Sequence, residues 1–345
     1  MHFDPENLSI TLKQTEIFSE IITVHPSMMS IFQYIESVAN SSQPIFITGE
    51  TGVGKALISK AIHLASMRKG NFVVVNVAGL DDHMFTDTLF GHVRGAFTGA
   101  DRARSGMVEQ AKGGTLVLDE IGDMSHESQI KLLRLLEERE YQPLGKDKPI
   151  YSDAAVVSAT HRDLWALQKA GKFRKDLNFR LRTHHIHIPP LRERMEDIPL
   201  LAEHFVRHAA EVFNKKQPDF SDECFSLLKA YHFPGNVREL KSVVFDAVGR
   251  ETSNILSPET IKLCIIQRQK DGTASVGSEP KEQKTRETGY ITFPEKLPGI
   301  KQWTQSLVDE ALRRAGGNQS AAARMLGISQ PAMNKRIKKN KASEN

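Results

Sequence analysis

The chain has 345 residues, of which 39% are hydrophobic and 26% charged, a composition ordinary for a soluble globular protein of two or three domains. It contains no run of about 18 apolar residues and no basic-then-apolar N-terminus, so neither a membrane span nor a secretory signal is predicted. The two cysteines, Cys224 and Cys264, form no Cys-x-x-Cys pair, which argues against a disulfide framework or zinc site and favours a reducing cytoplasm.

The first half of the chain alternates between apolar runs and helical stretches. A short polar leader occupies residues 1–20, and helical spacing of apolar residues begins at Pro26. The apolar runs are residues 44–48, 72–77, 115–118, 154–160 and 184–188. Runs that are apolar on both faces and alternate with helices predict a buried parallel sheet covered on both sides. We therefore expect one α/β domain over residues 21–190.

The pattern changes after Pro189-Pro190. Only helices are predicted there, and they form a small subdomain over residues 191–267; their bounds are 198–213, 222–231, 237–250 and 258–267. Residues 268–299 are rich in polar residues and lack apolar periodicity, which predicts a flexible linker. Residues 300–345 regain a helical stripe and hold nine Lys or Arg against three acidic residues, although the whole chain carries only +4. Such a basic module is typical of polyanion binding.

A glycine-rich loop joins the first predicted strand to the next helix, and residues 49–55 read Gly-Glu-Thr-Gly-Val-Gly-Lys. Glycines let successive backbone N–H groups converge on one anion, and the helix turns its positive end toward the same point. Lys55 would reach the β- and γ-phosphates of a nucleotide. The predicted nucleotide-binding residues of this loop are Gly49, Glu50, Thr51, Gly52, Val53, Gly54, Lys55 and Ala56.

Two adjacent acids, Asp119 and Glu120, follow the third apolar run. The carboxyl ends of parallel strands form the crevice in which such sheets bind ligands. We expect Asp119 to hold Mg²⁺, directly or through water, and Glu120 to polarise the attacking water. Ala56 stands where a Ser or Thr usually offers Mg²⁺ a hydroxyl, so the ion must rely on Asp119, water and the phosphates. The predicted reaction is hydrolysis of ATP to ADP and phosphate.

Between the phosphate loop and these acids lies a hexapeptide for which ATP hydrolysis has no catalytic need. It consists of Gly95, Ala96, Phe97, Thr98, Gly99 and Ala100. Its other residues are too small to build a core around Phe97, and the glycines let the segment swing. An exposed aromatic residue on a mobile tip indicates contact with a partner.

Residues 311–339 have the spacing of a helix-turn-helix. The first helix, with an apolar stripe that includes Leu307 and Ala311, breaks at Gly316-Gly317, and Asn318 can cap the second. Gly327-Ile328 forms the turn, and the last helix directs Met333 and Ile337 inward. The predicted contacts to bases or phosphates are Ser329, Gln330, Asn334, Lys335 and Lys338.

Together these stretches resemble the AAA+ ATPases, specifically the bacterial enhancer-binding proteins that activate sigma-54 RNA polymerase. The most specific match is residues 89–100, Leu-Phe-Gly-His-Val-Arg-Gly-Ala-Phe-Thr-Gly-Ala. Further matches are residues 113–116, 173–177, 189–194 and 234–240. The terminal segment resembles the Fis-type module of that family. The resemblance implies an α/β fold with an AAA+ P-loop parallel sheet, a helical lid and a small all-α helix-turn-helix domain.

The resemblance also implies roles for single residues. Asn76 matches the switch residue that responds to Glu120, Thr160 the first sensor of nucleotide and Arg238 the second. Arg174 and Arg180 match the arginines that a neighbouring subunit offers to the γ-phosphate. The implied assembly is a hexameric ring, dimeric when inactive, that binds enhancer DNA and drives the 95–100 loops against sigma-54 to remodel the closed promoter complex.

Two other classes of protein stay open at this level. Another AAA+ remodeller, such as an unfoldase or clamp loader, would share the ATP site but has no use for residues 95–100 or a DNA module. A DNA-binding repressor could use the ATPase fold only as a scaffold for dimerisation, and could then have lost Glu120.

Two further features bear on metal and on regulation. His184, His185 and His187 crowd one strand, but without a nearby acid or Cys they are not a complete metal-ligand set. Relatives usually carry an N-terminal sensory domain, and about 20 residues are too few to form one. We expect either control by a separate protein or a chain that is part of a longer one.

Overall fold

The computed structural model describes residues 12–251, 255–274, 300–316, 318–328 and 330–334. The chain forms two compact units, Met1–Gly277 and Ser278–Asn345. The strands of the first unit are β1 Ile45–Thr48, β2 Phe72–Asn76, β3 Gly91–His92, β4 Arg104–Ser105, β5 Thr115–Asp119, β6 Glu140–Tyr141, β7 Ile150–Tyr151, β8 Ala155–Thr160, β9 His184–His187, β10 Asp219–Phe220 and β11 Ile255–Leu256.

The helices of the first unit are α1 Pro26–Val38, α2 Lys55–Ala65, α3 Asp82–Phe90, α4 Met107–Gln110, α5 His126–Glu137, α6 Leu164–Lys169, α7 Lys175–Leu181, α8 Asp197–Val212, α9 Asp222–Ala230, α10 Asn236–Arg250 and α11 Pro258–Ala274. Short 3₁₀ turns occur at Thr15–Phe18, Ile121–Asp123 and Leu191–Glu193. Within the part of the chain that the structure describes, no helix has the length and apolar character needed to cross a membrane.

The main sheet has five parallel strands in the order β2-β5-β8-β1-β9. They are the five apolar runs of the sequence, with bounds that differ from the prediction by no more than one residue. The register pairs Asn76 with Asp119 and Thr48 with Thr160. The carboxyl ends of these strands therefore meet at one edge of the sheet, which brings the glycine-rich loop and the two acids together.

Helices cover both faces of this sheet, as the sequence predicted. On one face, residues such as Phe46 and Leu118 pack against α3, α5 and α7; on the other, residues such as Ile47 and Val157 pack against α1 and α2. The prediction of two buried faces is wrong for the two edge strands: Val74 of β2 is 53% exposed, and His185 and His187 of β9 are exposed. Because β2 and β9 are edge strands of the sheet, each has neighbours on one side only.

Helices α8 to α11 enclose a third core, which includes Phe205, Val244 and the fully buried Phe233. The expectation of helices alone after Pro189-Pro190 is wrong in one detail, because β10 and β11 pair in parallel. Each has only two residues, too few for a strand alternation to show in the sequence. The antiparallel pairs β3–β4 and β6–β7 escaped prediction for the same reason. Helix α11 continues to Ala274, past the predicted end at residue 267.

The second unit contains α12 Ile300–Arg314, α13 Gln319–Met325 and helical residues 330–334. Its core consists of Val308, Ala311, Ala322, Ala323 and Met333. The Asn318 side-chain oxygen accepts hydrogen bonds from the N–H groups of Ser320 and Ala321, so the predicted cap is confirmed. Leu307, assigned to the apolar stripe, is 48% exposed. Ile337 and residues 275–299 of the predicted linker lie outside the described residues.

Candidate active site

The glycine-rich loop connects β1 to α2 in a conformation suited to an anion. Gly49, Gly52 and Gly54 have φ values of 156°, 83° and 110°, which L side chains rarely adopt. Gly54 is the N-cap residue of α2 and has no side chain. The first N–H groups of that helix therefore donate to no N-cap side chain. Around Gly54 a Cβ would meet no atom within 4 Å. The loop therefore presents backbone donors to an open space at a helix N-terminus.

Lys55 is folded back onto this loop. Its Nζ donates to the carbonyl oxygens of Gly49 at 3.0 Å and Glu50 at 3.3 Å. Burial lowers the pKa of Lys55, an effect that the carboxylates of Glu120 and Asp119 oppose and the charge of Arg238 assists. A buried ammonium group held only by carbonyls and a distant carboxylate is well placed to exchange these partners for phosphate oxygens.

Asp119 and Glu120 stand at the end of β5, beside Lys55. Burial and the adjacent Glu120 raise the pKa of Asp119, whereas Lys55 opposes the rise. Glu120 has a left-handed backbone, with φ of 59°, and its Oε1 lies 3.9 Å from Lys55 Nζ. Its Oε2 lies 2.7 Å from His161 Nδ1 and also accepts the His161 backbone N–H at 3.3 Å. The sequence prediction gave His161 no such role.

Asn76 and Thr160 end the strands on either side of this acid pair along the sheet edge. The Asn76 side-chain oxygen accepts from the Ala78 N–H at 2.9 Å, and among the described residues no hydrogen bond joins it to Glu120. Thr160 is fully buried, and its Oγ1 accepts from the Arg162 N–H at 3.1 Å. Both residues implied by the resemblance therefore lie at the expected edge, but His161 is the side chain that contacts Glu120.

The helical subdomain is bonded directly to the phosphate loop. Glu50 forms a two-pronged ion pair with Arg192, at 2.6 and 2.8 Å, and accepts from the Asn236 amide at 3.1 Å. These hydrogen bonds lower the pKa of Glu50 to about 2. The same Asn236 amide donates to the Thr51 carbonyl at 3.0 Å, and its oxygen accepts from the Leu191 N–H at 2.8 Å.

A second set of contacts between the helical subdomain and the phosphate loop is buried. Arg194 is 2% exposed; it donates to the Val53 carbonyl at 2.8 Å and lies 3.7 Å from Asp197, which is completely buried. A side chain at Gly52 would collide with the Gly235 carbonyl, so the two segments are in contact there. Sequence reasoning missed these contacts because they join residues far apart in the chain.

No cluster of three His, Cys, Asp or Glu side chains suited to a metal occurs within the described ranges. Mg²⁺ does not need one, because it is commonly bound through one or two carboxylates together with substrate phosphates and water. The half-buried Asp119 carboxylate beside the open end of the phosphate loop fits this mode of binding.

The hexapeptide 95–100 forms a tight loop beyond β3. Gly95 donates to the Ala100 carbonyl at 2.9 Å, and Ala100 donates to the Phe97 carbonyl at 3.0 Å. The expectation of a freely exposed Phe97 is not met, because its ring is partly buried between the imidazoles of His83 and His92. Since His83 lies far back along the chain on α3, inspection of the hexapeptide alone could not reveal this contact.

Three models of known families match the chain: "Sigma-54 interaction domain" at residues 21–187, "AAA+ ATPase lid domain" at 192–277 and "Bacterial regulatory protein, Fis family" at 305–339. The regulatory protein AtoC of Escherichia coli K12 is 40% identical over 92% of this chain and 66% of its own length. The transcriptional regulatory protein ZraR of the same strain is 38% identical over 96% of this chain and 70% of its own length. The chain belongs to the sigma-54-dependent activator family.

Solved structures agree with the fold. NtrX from Brucella abortus in complex with ADP superposes with a TM-score of 0.65 at 29% identity, over 92% of this chain and 68% of that one. NtrX in complex with ATP gives a TM-score of 0.64 at 28% identity over 93% and 69%. The predicted AAA+ fold with a helical lid and a terminal helix-turn-helix is confirmed. The chain spans about two thirds of the length of the first of these curated relatives, 66% for AtoC.

The two arginines that the family resemblance assigns to a neighbour's site lie elsewhere in their own chain. Arg174 precedes α7 and pairs with Asp176 at 2.6 Å, and the Arg180 guanidinium donates to the Leu136 carbonyl at 2.8 Å. Among the described residues, neither forms a hydrogen bond or ion pair with residues 49–55.

The predicted DNA contacts are only partly covered by the structure. Gln330 is exposed in the last described helical segment. Asn334 is partly buried, and its Oδ1 is buried without a hydrogen-bond partner among the described residues. Ser329, Lys335 and Lys338 lie outside the described residues.

Proposed function

We propose that this chain hydrolyses ATP to ADP and phosphate at the junction of sheet and lid. The observation that carries the proposal is the convergence of Lys55, Asp119 and Glu120 on the open space before α2. Lys55 would exchange its carbonyl partners for the β- and γ-phosphates, Asp119 would hold Mg²⁺, and Glu120 would orient the attacking water. When bound, Mg²⁺ would neutralise charge on the phosphate oxygens.

The decisive test replaces Glu120 by Gln. We expect ATP turnover to fall by about 10²-fold or more, with ATP binding retained, because the amide cannot take a proton from water. The exposed Glu223 on the lid provides the control, Glu223→Gln, which should hydrolyse ATP normally. Normal turnover by the Glu120→Gln protein would remove the proposed catalytic role.

We further propose that active sites form between subunits of a ring, expected to be a hexamer. Arg174 and Arg180, which the family resemblance assigns to the neighbour's γ-phosphate, support this arrangement. Lys55→Ala and Arg174→Ala proteins should each be inactive alone. Mixed together they should regain part of the ATPase activity, because some boundaries in a mixed ring hold both an intact Lys55 and an intact Arg174. No recovery on mixing would contradict sites shared between subunits.

Hydrolysis is proposed to drive the 95–100 loops against sigma-54 and so to remodel the closed promoter complex in the cytoplasm. The family membership and the separation of this loop from the ATP site support the assignment. Phe97→Ala should hydrolyse ATP but fail to open a sigma-54 promoter. Open complexes formed at normal rates by that variant would exclude the loop from the remodelling step.

The terminal module is proposed to bind enhancer DNA. The nine basic residues of 301–345 support binding to phosphates. Lys335→Ala should weaken binding and reduce the slope of log affinity against log salt by about 1. An unchanged slope would mean that Lys335 touches no phosphate.

A further inference from the structure

The Phe97 ring is held by two imidazoles that do not belong to its loop. The ring centroid of His83, in the first turn of α3, lies 4.8 Å away at an interplanar angle of 84°; that of His92, in β3, lies 4.9 Å away at 67°. Both are edge-to-face arrangements, which are favourable beyond the apolar area they bury. The aromatic side chain proposed to contact sigma-54 is therefore packed against its own domain.

His92 is fixed more firmly than an ordinary surface histidine. Its Nδ1 lies 2.5 Å from Asp87 Oδ1 and its Nε2 lies 2.9 Å from the Arg102 carbonyl. Both ring nitrogens therefore have a partner, which fixes the orientation of the imidazole. Asp87 also accepts from Arg104 at 2.7 Å. Burial raises the pKa of Asp87, but the bonds from His92 and Arg104 outweigh it and hold the pKa below its usual range.

The loop tip, by contrast, has little to hold it. Gly95 and Gly99 have φ values of 81° and 97°, and a Cβ at either would meet no atom within 4 Å. The N–H groups of Gly95 and Ala100 bond inside the loop, and the Ala96 N–H donates to the Val93 carbonyl at 3.2 Å, just before the loop. Its side-chain attachments to the rest of the domain include the Phe97 ring, a contact between Ala96 and Gly145, and the buried Ala100 at its C-terminal end.

We propose that His83 and His92 form a clamp that keeps the Phe97 ring docked against its own domain, and that its release exposes the ring to sigma-54. This inference rests on the proposed role of the loop. His83 and His92 act as positioning residues, because their contacts among the described residues are with Phe97, Asp87 and Arg102 and not with the phosphate loop. Loss of one edge-to-face contact should shift the balance between docked and released ring by roughly 2- to 10-fold.

The test places 4-fluorophenylalanine at position 97 alone and reads its ¹⁹F resonance in the whole, nucleotide-free protein. The H₂O-to-D₂O change in chemical shift measures how far the ring is exposed to solvent. It should be small in the parent protein and larger after His83→Ala or His92→Gln. His83 is exposed on the helix surface, so His83→Ala removes one wall without touching the His92–Asp87 pair. The exposed His232 on the lid supplies the control, His232→Ala.

A second measurement separates the clamp from the proposed function. Nucleotide-free His83→Ala should bind purified sigma-54 roughly 2- to 10-fold more tightly than the parent, and Phe97→Ala should not bind. An unchanged solvent shift in both clamp variants overturns the clamp. If the solvent shift increases but the affinity for sigma-54 stays at the parental value, the clamp does not control the access of sigma-54 to Phe97. If no variant binds sigma-54 with or without nucleotide while the solvent shift still responds, the proposed function fails and docking by the two histidines stands.

Discussion

The phosphate loop and the 95–100 loop are both glycine-rich, yet they are anchored very differently. The first is tied to the lid by the Glu50–Arg192 pair, by Asn236 and by the buried Arg194. The second is held by the ring contacts of Phe97, by the buried Ala100 and by backbone hydrogen bonds within itself and to Val93. Positioning phosphates requires a fixed backbone, whereas an element that reports on them must leave its resting place at small cost. Substitutions in and around the two loops test this difference in anchoring.

The largest expected effect is on Arg194, the deepest tie of the phosphate loop. Arg194→Leu leaves the buried Asp197 without its cation and the Val53 carbonyl without its donor. We expect the free energy of unfolding to fall by about 3–5 kcal/mol, as for other buried pairs that lose one partner. Urea denaturation measures it. Arg192→Leu, which breaks a solvent-exposed ion pair, should lower the free energy of unfolding far less. Equal losses of unfolding free energy in the two variants would show that the buried Arg194 stabilises the protein no more than the exposed Arg192 does.

The next effect compares one glycine from each loop. Gly52→Ala and Gly99→Ala both force an L side chain into a positive φ, at a cost of roughly 1–3 kcal/mol. Only the Gly52 side chain would also collide with the Gly235 carbonyl, because the space around Gly99 is open. Gly52→Ala should therefore destabilise the protein further and weaken nucleotide binding, measured by calorimetry. If Gly99→Ala lost as much stability, the 95–100 loop would be packed as tightly as the phosphate loop.

A smaller effect concerns His185, beside the strand that leads into the phosphate loop. Its Nε2 lies 2.8 Å from Thr48 Oγ1, and its ring stacks on Phe46. Burial, assisted by the charges of Arg182 and His187, lowers the pKa of His185 below its ordinary value of 6.5. The imidazole of His185 is therefore protonated more readily in the unfolded chain than in the folded one. Its contribution to the free energy of unfolding is fully present above pH 6.5 and is lost as the pH falls below that value.

Denaturation at pH 7.5 and 5.5 tests this sign. His185→Gln should lose less stability between these values than the parent protein, whereas His232→Gln, at an exposed position, should match the parent. If the His185→Gln protein lost more stability than the parent between these pH values, the pKa of His185 would be raised by folding and not lowered.

The sequence predicted the parts of the site that depend on contiguous backbone. The five strands, the loop 49–55 and the acids after β5 lie where short motifs indicated, because each motif carries its own geometry. The contacts between distant segments were not predicted. Nothing near Glu120 indicated that His161 would be its partner, and no periodicity links Glu50 to Arg192. Two-residue strands such as β10 were too short to leave a pattern.

The smallest expected effect compares Phe97 with its near neighbour in sequence, Phe90. Phe90 is 3% exposed and packs on Tyr141 and Phe85, so Phe90→Ala should cost about 3–5 kcal/mol of unfolding free energy. Phe97 is only partly buried and rests on two histidines, so Phe97→Ala should cost about 1–3 kcal/mol, about 0.5–1.5 kcal/mol for each ring contact. Paired denaturation curves decide between them. A cost near that of Phe90→Ala would make Phe97 part of the core; its release would then be too expensive for a nucleotide-driven step, and the contrast between the two loops would not hold.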